Sequence, residues 1–143
     1  MTTPSSHWLL KSEPETYALS NLERDGRTVW DGVRNNQAAL FLRAMRRDDL
    51  ALFYHSGADK AVVGLAKVER EAFRDPSDET GRFVAVEVSF VRALAAPVTL
   101  AAMKANPALS GMIMLRQSRL SVAPVSADEW SAILAMAGAD EAL

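Results

Sequence analysis

The sequence predicts a mixed α/β fold of the α+β type: a small, partly open β-barrel of about five to six strands, decorated with helices. Short apolar or alternating segments recur along the chain, but helices do not follow them in the regular order of a doubly wound sheet. The 143 residues contain no cysteine and are 49% hydrophobic, which is typical of one domain without disulfides. We therefore expect residues 1–143 to form a single domain.

The first half of the chain contains the clearest helix. Apolar residues at positions 38, 41, 42 and 45 recur at helical spacing, which predicts a buried stripe on a helix over residues 35–46. The residues Asp25 and Gly26 predict the end of a preceding short element. Other segments of this half predict an apolar strand, a short helix or turn, and a buried strand, at residues 8–11, 17–22 and 50–55.

The second half is predicted to be mainly strands. Ser126 and Glu129 form a capping box for a C-terminal helix that ends at Gly138. A short helix over residues 100–104 stops before an Asn-Pro pair, and the polar loop over residues 75–82 is expected to be flexible. The predicted strands cover residues 62–69, 83–91 and 120–125.

The charge distribution predicts a confined anion site. The formal net charge is −2, but residues 32–47 and residues 88–127 each carry four basic residues and no acid. Such local clusters favour one anionic ligand site over a surface that coats a polyanion, although solvated helix faces are the alternative interpretation. With no cysteine and two distant histidines, we expect no metal site and no cofactor.

Two further observations concern localisation. No apolar run approaches the roughly 18 residues that a membrane helix needs. The N-terminal segment MTTPSSHWLLKSEP lacks a basic region followed by a long apolar stretch, so a secretory signal is not expected. We predict a cytoplasmic protein without membrane contact.

The segment RTVWDGVRNNQA at residues 27–38 points most directly to function. It places Trp30 on a glycine-containing turn ahead of a helix, next to several side-chain amides. A flat aromatic face, amide donors and acceptors, and free N–H groups at a helix start suit a planar, polar ligand such as a nucleotide base. Two structural alternatives stay open, since Trp30 can pack in the core and Asn35 can be the helix N-cap.

Several motifs, in register along residues 8–130, resemble those of the EVE domain family: WLLKSEP at 8–14, WDGVRN at 30–35, FYHS at 53–56, VGLAKV at 63–68 and RQSRLSV at 116–122. The resemblance implies a PUA-like fold, related to YTH and ASCH domains. It also implies a nucleic-acid-binding reader that recognises a modified nucleobase by base flipping. 5-Methylcytosine or another 5-modified cytosine in DNA is the expected ligand, with RNA as the alternative. We expect a monomer that is not an enzyme and that acts through an unidentified effector protein.

The resemblance also implies site residues. The base pocket it implies comprises Ser12, Trp30, Gly32, Val33, Asn35, Tyr54, His55, Ser56 and Ser118. The cationic side chains of Lys11, Arg34, Arg116 and Arg119 are predicted to contact phosphate groups.

Alternatives for single residues follow from local patterns. Ser12 and Glu15 can form a capping box for a following helix. Because side chains alternate along a strand, Tyr54 and Ser56 should share one face while His55 lies on the other. His55 can therefore be a hydrogen-bonded structural residue instead of a pocket donor.

Two other classes of function stay open. Some ASCH relatives are hydrolases of acylated cytidine that use lysine, a hydroxyl and glutamate, which matches Lys11, Ser12 and Glu13. Neighbours in one extended strand are not expected to converge, however. The apolar side chains around Trp130 and Ile133 can alternatively form a protein-interaction surface, although core packing is the simpler interpretation.

Overall fold

The computed structural model describes residues 6–138, as one mixed sheet with helices packed against it. Residues 1–5, which begin the N-terminal segment considered above, and residues 139–143 lie outside this part. The strands run in the spatial order β2-β5-β4-β3-β1-β6, in which β1 and β3 are parallel and the other neighbours antiparallel. The strands are β1 (His7–Ser12), β2 (Arg27–Trp30), β3 (Leu50–His55), β4 (Ala61–Arg74), β5 (Val84–Thr99) and β6 (Val122–Val125).

The sheet stays open, because its edge strands β2 and β6 do not pair with each other within residues 6–138. Strands β4 and β5 have 14 and 16 residues, and their pairing shifts register at four places. Such bulges bend a strand and increase its twist, so the sheet curves along this pair. The prediction of a mixed α/β fold with a partly open sheet is confirmed.

Helices cover parts of the sheet. In α2, Ala38 and Leu42 are fully buried, and Met45 follows on the same side, which confirms the predicted stripe. In α5, Ser126 and Glu129 form the predicted capping box. No helix in residues 6–138 is long and apolar enough to span a membrane. The α-helices of this part are α1 (Leu19–Asp25), α2 (Asn36–Ala44), α3 (Leu100–Ala105), α4 (Ile113–Arg116) and α5 (Ala127–Met136), with a 3-10 turn at Pro107–Leu109.

The core surrounds the central strands β1 and β3. Strands buried on both faces are expected to be apolar along their length, and β3, with the sequence LALFYH, has no exposed residue. Phe53 and Leu9 are fully buried at its centre. Trp130 and Ile133 of α5 belong to the same core. The apolar stripe of α5 is therefore core packing, and the alternative of an interaction surface there is wrong.

The segment after β1 differs from the predicted capping box. The backbone N–H of Tyr17 donates to the Glu13 carbonyl and closes a tight turn. Helix α1 begins only at Leu19, with Ala18 as its N-cap residue. The predicted pairing of Ser12 with Glu15 at a helix start is therefore wrong, because the chain turns before the helix begins.

Two other local predictions change for a common reason. Trp30 is predicted on a turn, but it is the last residue of strand β2, which pairs with the distant strand β5. The polar loop over residues 75–82 is not a loose connection, since the Asp75 and Asp78 side chains are buried and accept several hydrogen bonds. The prediction of a flexible loop is therefore wrong. Both differences depend on contacts between distant segments, which hydrophobic periodicity does not report.

Candidate functional site

A cavity of about 570 Å³ opens between the end of β1 and the turn that follows β2. This first cavity is lined by residues 11–13, 16–17 and 28–34 and by Ser121. The lining thus combines the end of β1, the turn that follows β1, and the end of β2 with the turn after it. The predicted site residues that line the cavity are Lys11, Ser12, Trp30, Gly32, Val33 and Arg34.

Trp30 forms part of the cavity wall and also packs against the core. It is the last residue of β2 and pairs with Val86 of β5. The edge of its indole ring meets Phe53 with 5.5 Å between ring centroids and 86° between ring planes. The ring therefore packs against the core and also lines the cavity, and its contact with a ligand stays a prediction.

A buried carboxylate holds the turn at Gly32. The backbone N–H of Gly32 donates to Asp75 Oδ2 at 2.8 Å, and Arg34 Nη1 donates to the same oxygen at 2.9 Å. Gly32 has φ of +77°, in the left-handed region that favours glycine. The other oxygen, Oδ1, accepts from the Ser77 hydroxyl and backbone N–H. Asp75 therefore joins the cavity turn to the loop over residues 75–82.

The protonation of Asp75 follows from these contacts. Burial acts to raise the pKa of the Asp75 carboxyl, but hydrogen bonds from Ser77, Arg34 and Gly32 outweigh burial and lower the pKa to about 2. The carboxylate is thus charged at neutral pH and is fully buried. A charge in this position needs its partners, so the loop and the turn stabilise each other.

Asp75 changes what Arg34 can do. Arg34 is predicted to contact phosphate, but its guanidinium is paired with Asp75 and lies 5.2 Å from the centre of the Phe83 ring. The charged groups that line the first cavity are Lys11, Arg34, Glu13 and Asp31, so the formal charges of its lining cancel. A cavity with balanced charge suits an uncharged polar ligand better than an anion.

Lys11 and Ser12 are held by the backbone. The Lys11 ammonium donates to the Ser118 carbonyl at 2.8 Å, and burial lowers the pKa of Lys11. The Ser12 hydroxyl donates to the Tyr17 carbonyl at 2.6 Å. Because its hydrogen is committed, the Ser12 oxygen is left as an acceptor that faces the cavity.

The structure corrects the expectation that Lys11, Ser12 and Glu13 cannot converge. All three line the first cavity, because β1 ends at Ser12 and the chain turns at Glu13. No hydrogen bond joins their side chains to one another among the described residues. A nucleophile and its base lie within hydrogen-bonding reach of each other in an assembled catalytic site, so hydrolysis by these residues stays an alternative for experiment.

Asn35 lies away from the first cavity. Its side-chain oxygen accepts from the Ala38 backbone N–H at 2.9 Å, which makes Asn35 the N-cap of α2. It lines another cavity, of about 320 Å³, with Arg116, Ser118 and Arg119 among its neighbours. The N-cap interpretation of Asn35 therefore holds, and its amide group reaches the predicted phosphate contacts of the RQSRLSV motif.

The FYHS motif divides as alternation predicts. Tyr54 and Ser56 line a cavity of about 290 Å³, together with Ser118. His55 points elsewhere, since its Nε2 accepts from the Leu19 backbone N–H at 3.0 Å and its Nδ1 lies 3.1 Å from Asp59 Oδ2. This pattern fits a neutral ring that donates to Asp59 through Nδ1. His55 lines none of the three cavities described here and holds the start of α1.

Several residues near these sites are absent from the sequence prediction. Asp75 carries only a local signal, an aspartate two residues before a serine, which is typical of a turn. Tyr17 and Thr28 line the first cavity without any sequence signal. Within residues 6–138, no group of three or more His, Cys, Asp or Glu side chains is arranged to hold a metal ion.

Comparison with known proteins identifies the fold family. The EVE domain model matches residues 6–136. Thymocyte nuclear protein 1 from Homo sapiens is 34% identical, over 92% of this chain and 74% of the human protein. A crystal structure of human THYN1 in complex with DNA containing 5-methylcytosine is 32% identical, with a TM-score of 0.86 and coverage of 94% of this chain and 98% of that chain.

Further solved structures agree with this result. Rpa0253 from Rhodopseudomonas palustris, determined by NMR, is 46% identical with a TM-score of 0.88 over 92% of both chains. The ASCH protein of Zymomonas mobilis is 11% identical with a TM-score of 0.57, over 92% of this chain and 95% of that chain. The ASCH likeness concerns the fold alone. The family model and the relatives confirm the resemblance carried by the sequence motifs, and the chain belongs to the EVE domain family.

Proposed function

We propose that the protein binds DNA that carries 5-methylcytosine and holds the modified base in the first cavity. The observation that carries this proposal is the charge-balanced cavity of about 570 Å³ with Trp30 on its wall. Such a cavity accommodates an uncharged, planar, polar ring. The complex of human THYN1 with 5-methylcytosine DNA supports the same ligand for this chain, at 32% identity.

Each cavity group has a distinct role in this proposal. The Trp30 ring stacks on or walls the base, a contact worth about 1–3 kcal/mol. The Ser12 hydroxyl donates to the Tyr17 carbonyl, so its oxygen is left as an acceptor. This oxygen accepts a hydrogen bond from the amino group of cytosine. The turn around Gly32, fixed by Asp75, sets the width of the cavity.

The proposed mode of binding is base flipping. A base inside a duplex cannot enter a cavity of this kind, so the nucleotide leaves the stack at a cost of a few kcal/mol. Burial of one added methyl group returns only about 0.8 kcal/mol. Since about 1.4 kcal/mol corresponds to a factor of ten, we expect selectivity of tenfold or less for the methylated base, and tighter binding to single strands than to duplexes.

The test is a titration that follows intrinsic tryptophan fluorescence. Trp8 and Trp130 are buried, whereas Trp30 lines the cavity, so binding should change mainly the emission of Trp30. The oligonucleotides are matched DNA and RNA strands with cytosine, 5-methylcytosine, 5-hydroxymethylcytosine or N6-methyladenine. We expect a preference for 5-methylcytosine DNA.

Substitution of Trp30 locates the ligand. We expect Trp30→Ala to abolish the methyl preference and Trp30→Phe to retain part of it, since phenylalanine keeps an aromatic face. Because Trp30 also packs on Phe53, thermal unfolding of both variants is measured as a control. Equal affinity of the wild-type protein for plain and methylated cytosine contradicts the proposal.

The same samples test the hydrolase alternative. Lys11, Ser12 and Glu13 line the first cavity together, so acylated cytidine is incubated with the protein and the products are separated by chromatography. Our proposal expects no turnover. Deacylation that disappears in Glu13→Gln indicates an enzyme instead of a reader.

A further inference from the structure

A second cavity shares Lys11 with the first. It encloses about 290 Å³ between the end of β3, the loop that follows it, and helices α3 and α4. We call it the lysine cavity, because Lys11, Lys60 and Lys104 all line it. No sequence motif predicts the convergence of these three side chains, which come from a strand, a loop and a helix.

The lysine cavity differs from the first cavity in charge. Its lining contains three lysines and no acidic residue. Asp59, the acid next to Lys60, lies 3.1 Å from His55 and lines another cavity that shares Lys60 and Lys104. Within residues 6–138, neither Lys60 nor Lys104 has a side-chain hydrogen bond or an ion pair. An excess of cations around a small concave surface attracts an anion.

The remaining lining groups suit phosphate oxygens. Ser118 offers a hydroxyl group and Tyr54 a phenol, while the Ser56 hydroxyl donates to the Ser12 carbonyl at 3.4 Å. Burial raises the pKa of Tyr54, so the phenol remains a hydrogen-bond donor at neutral pH. Hydroxyl and ammonium donors of this kind make most contacts to nucleic-acid backbones.

Lys11 connects the two cavities. It lines both of them, and its ammonium is fixed on the Ser118 carbonyl at 2.8 Å. A ligand whose uncharged ring occupies the first cavity and whose anionic group occupies the lysine cavity therefore lies across the Lys11 side chain. In a nucleic acid, a base and the backbone phosphate beside it have this relation.

We propose that the lysine cavity binds a backbone phosphate next to the nucleotide whose base occupies the first cavity, with Lys60 and Lys104 as the phosphate contacts. This inference rests on the proposed function, because it assumes a nucleic-acid ligand. It separates recognition into two parts: the first cavity tests the base, and the lysine cavity supplies affinity that is independent of the base.

The experiment compares Lys60→Gln, Lys104→Gln and the double variant on a single-stranded oligonucleotide with one 5-methylcytosine. The dissociation constant is measured by fluorescence anisotropy over a series of salt concentrations. Each lost phosphate contact should reduce the slope of log K against log salt by about 0.7 and weaken binding about fivefold near 0.1 M salt. The ratio of affinities for methylated and plain cytosine should stay unchanged.

A matched control is Lys67→Gln. Lys67 is half-buried on β4, pairs with Asp48 and Glu69, and lines none of the three cavities. Its loss changes the net charge by the same amount as Lys60→Gln. A reduced slope in the lysine-cavity variants but not in Lys67→Gln supports a local phosphate site. Equal changes in all three variants indicate general electrostatic attraction and overturn the proposal.

The outcomes separate this inference from the proposed function. If the Lys60 and Lys104 variants keep the wild-type slope while methyl preference persists, the phosphate site is overturned and the base pocket stands. If the slope falls but the wild-type protein never distinguishes methylated cytosine, the phosphate site is supported and the base pocket fails. Absence of any DNA binding by the wild-type protein overturns both.

Discussion

The first cavity and the lysine cavity share Lys11 but are built in different ways. The walls of the first cavity depend on a buried group, since Asp75 fixes the turn at Gly32. The lysine cavity has its charge on exposed side chains of a loop and a short helix. Buried polar groups contribute to folding, whereas exposed cations contribute little. Substitutions that change the shape of the first cavity should therefore also lower the stability of the protein. Substitutions that remove charge from the lysine cavity should not.

The largest effect is expected for Asp75→Ala. It removes the acceptor for the Gly32 N–H, the Arg34 guanidinium and the Ser77 donors. We expect a loss of about 2–4 kcal/mol in the free energy of unfolding, and loss of methyl preference in the protein that still folds. Urea denaturation and the oligonucleotide titration measure the two effects.

A matched control for Asp75→Ala is Asp78→Ala. Asp78 is also buried, but it accepts from Thr80 and the Phe83 N–H within its own loop and does not contact the Gly32 turn. We expect Asp78→Ala to destabilise the protein while methyl preference persists. If both variants keep the preference, Asp75 does not shape the first cavity.

The pH dependence of stability should report the same carboxylate. The pKa of Asp75 is about 2 in the folded protein, against an ordinary value of 3.8 for an aspartate. Its stabilisation is thus fully present above about pH 4 and is lost as the pH falls towards about 2, because the unfolded chain takes up the proton first. The difference corresponds to about 2 kcal/mol.

Urea denaturation between about pH 5 and pH 2 measures this loss. The comparison variant is Asp75→Asn, which cannot titrate at this position. Its stability should fall less steeply with pH than that of the wild-type protein, although Asp78, whose pKa is also lowered to about 2, still contributes. Parallel curves for the two proteins contradict the assignment to Asp75.

Features of the fold that depend on near neighbours could be predicted from the sequence. The stripe of α2, the capping box of α5 and the N-cap at Asn35 follow from residues three or four positions apart. Two residues of the family motifs, Ser12 and Trp30, line one cavity. Helical spacing and capping follow from the geometry of the local backbone, so the residues of each short segment are enough to predict them.

The rest of the site depends on contacts across the chain. Residues 32–47 contain no acid, but Asp75 pairs with Arg34 from 41 residues away. Lys60 and Lys104 are separate in sequence and meet only because α3 follows the long strand β5. Charge counted along the sequence therefore reports neither the pairing of Arg34 nor the meeting of these two lysines.

A smaller effect is expected for His55→Ala, which tests the support of the start of α1. The variant leaves the buried Leu19 N–H without its acceptor, at a cost of about 1–2 kcal/mol in the free energy of unfolding. Because His55 lines none of the three cavities, the affinity of the folded protein for methylated DNA should not change.

Circular dichroism during urea denaturation and the oligonucleotide titration give the two values for His55→Ala. His55→Gln keeps an acceptor near Leu19 and should recover part of the stability. A fall in affinity without a fall in stability places His55 in the binding site, as the FYHS motif alone implies, and contradicts its structural role.

The smallest effect on stability is expected at the third cavity, where Arg116 and Arg119 lie beside Asn35. Both arginines are exposed, and the Arg116 Nε contact to the Ser110 carbonyl is long, at 3.3 Å. Arg116→Gln and Arg119→Gln should therefore change the free energy of unfolding by less than about 0.5 kcal/mol.

The salt dependence of binding decides whether these arginines contact phosphate, as proposed for the lysine cavity, or do not. If they contact phosphate, the slope of log K against log salt falls by about 0.7 for each arginine, without a change in methyl preference. If the slope is unchanged, the cluster is a solvated surface. Cations that bind phosphate release counterions wherever they lie on the surface, so an unchanged slope excludes a phosphate contact at these arginines. The nucleic-acid backbone then runs from the first cavity towards Lys60 and Lys104 alone.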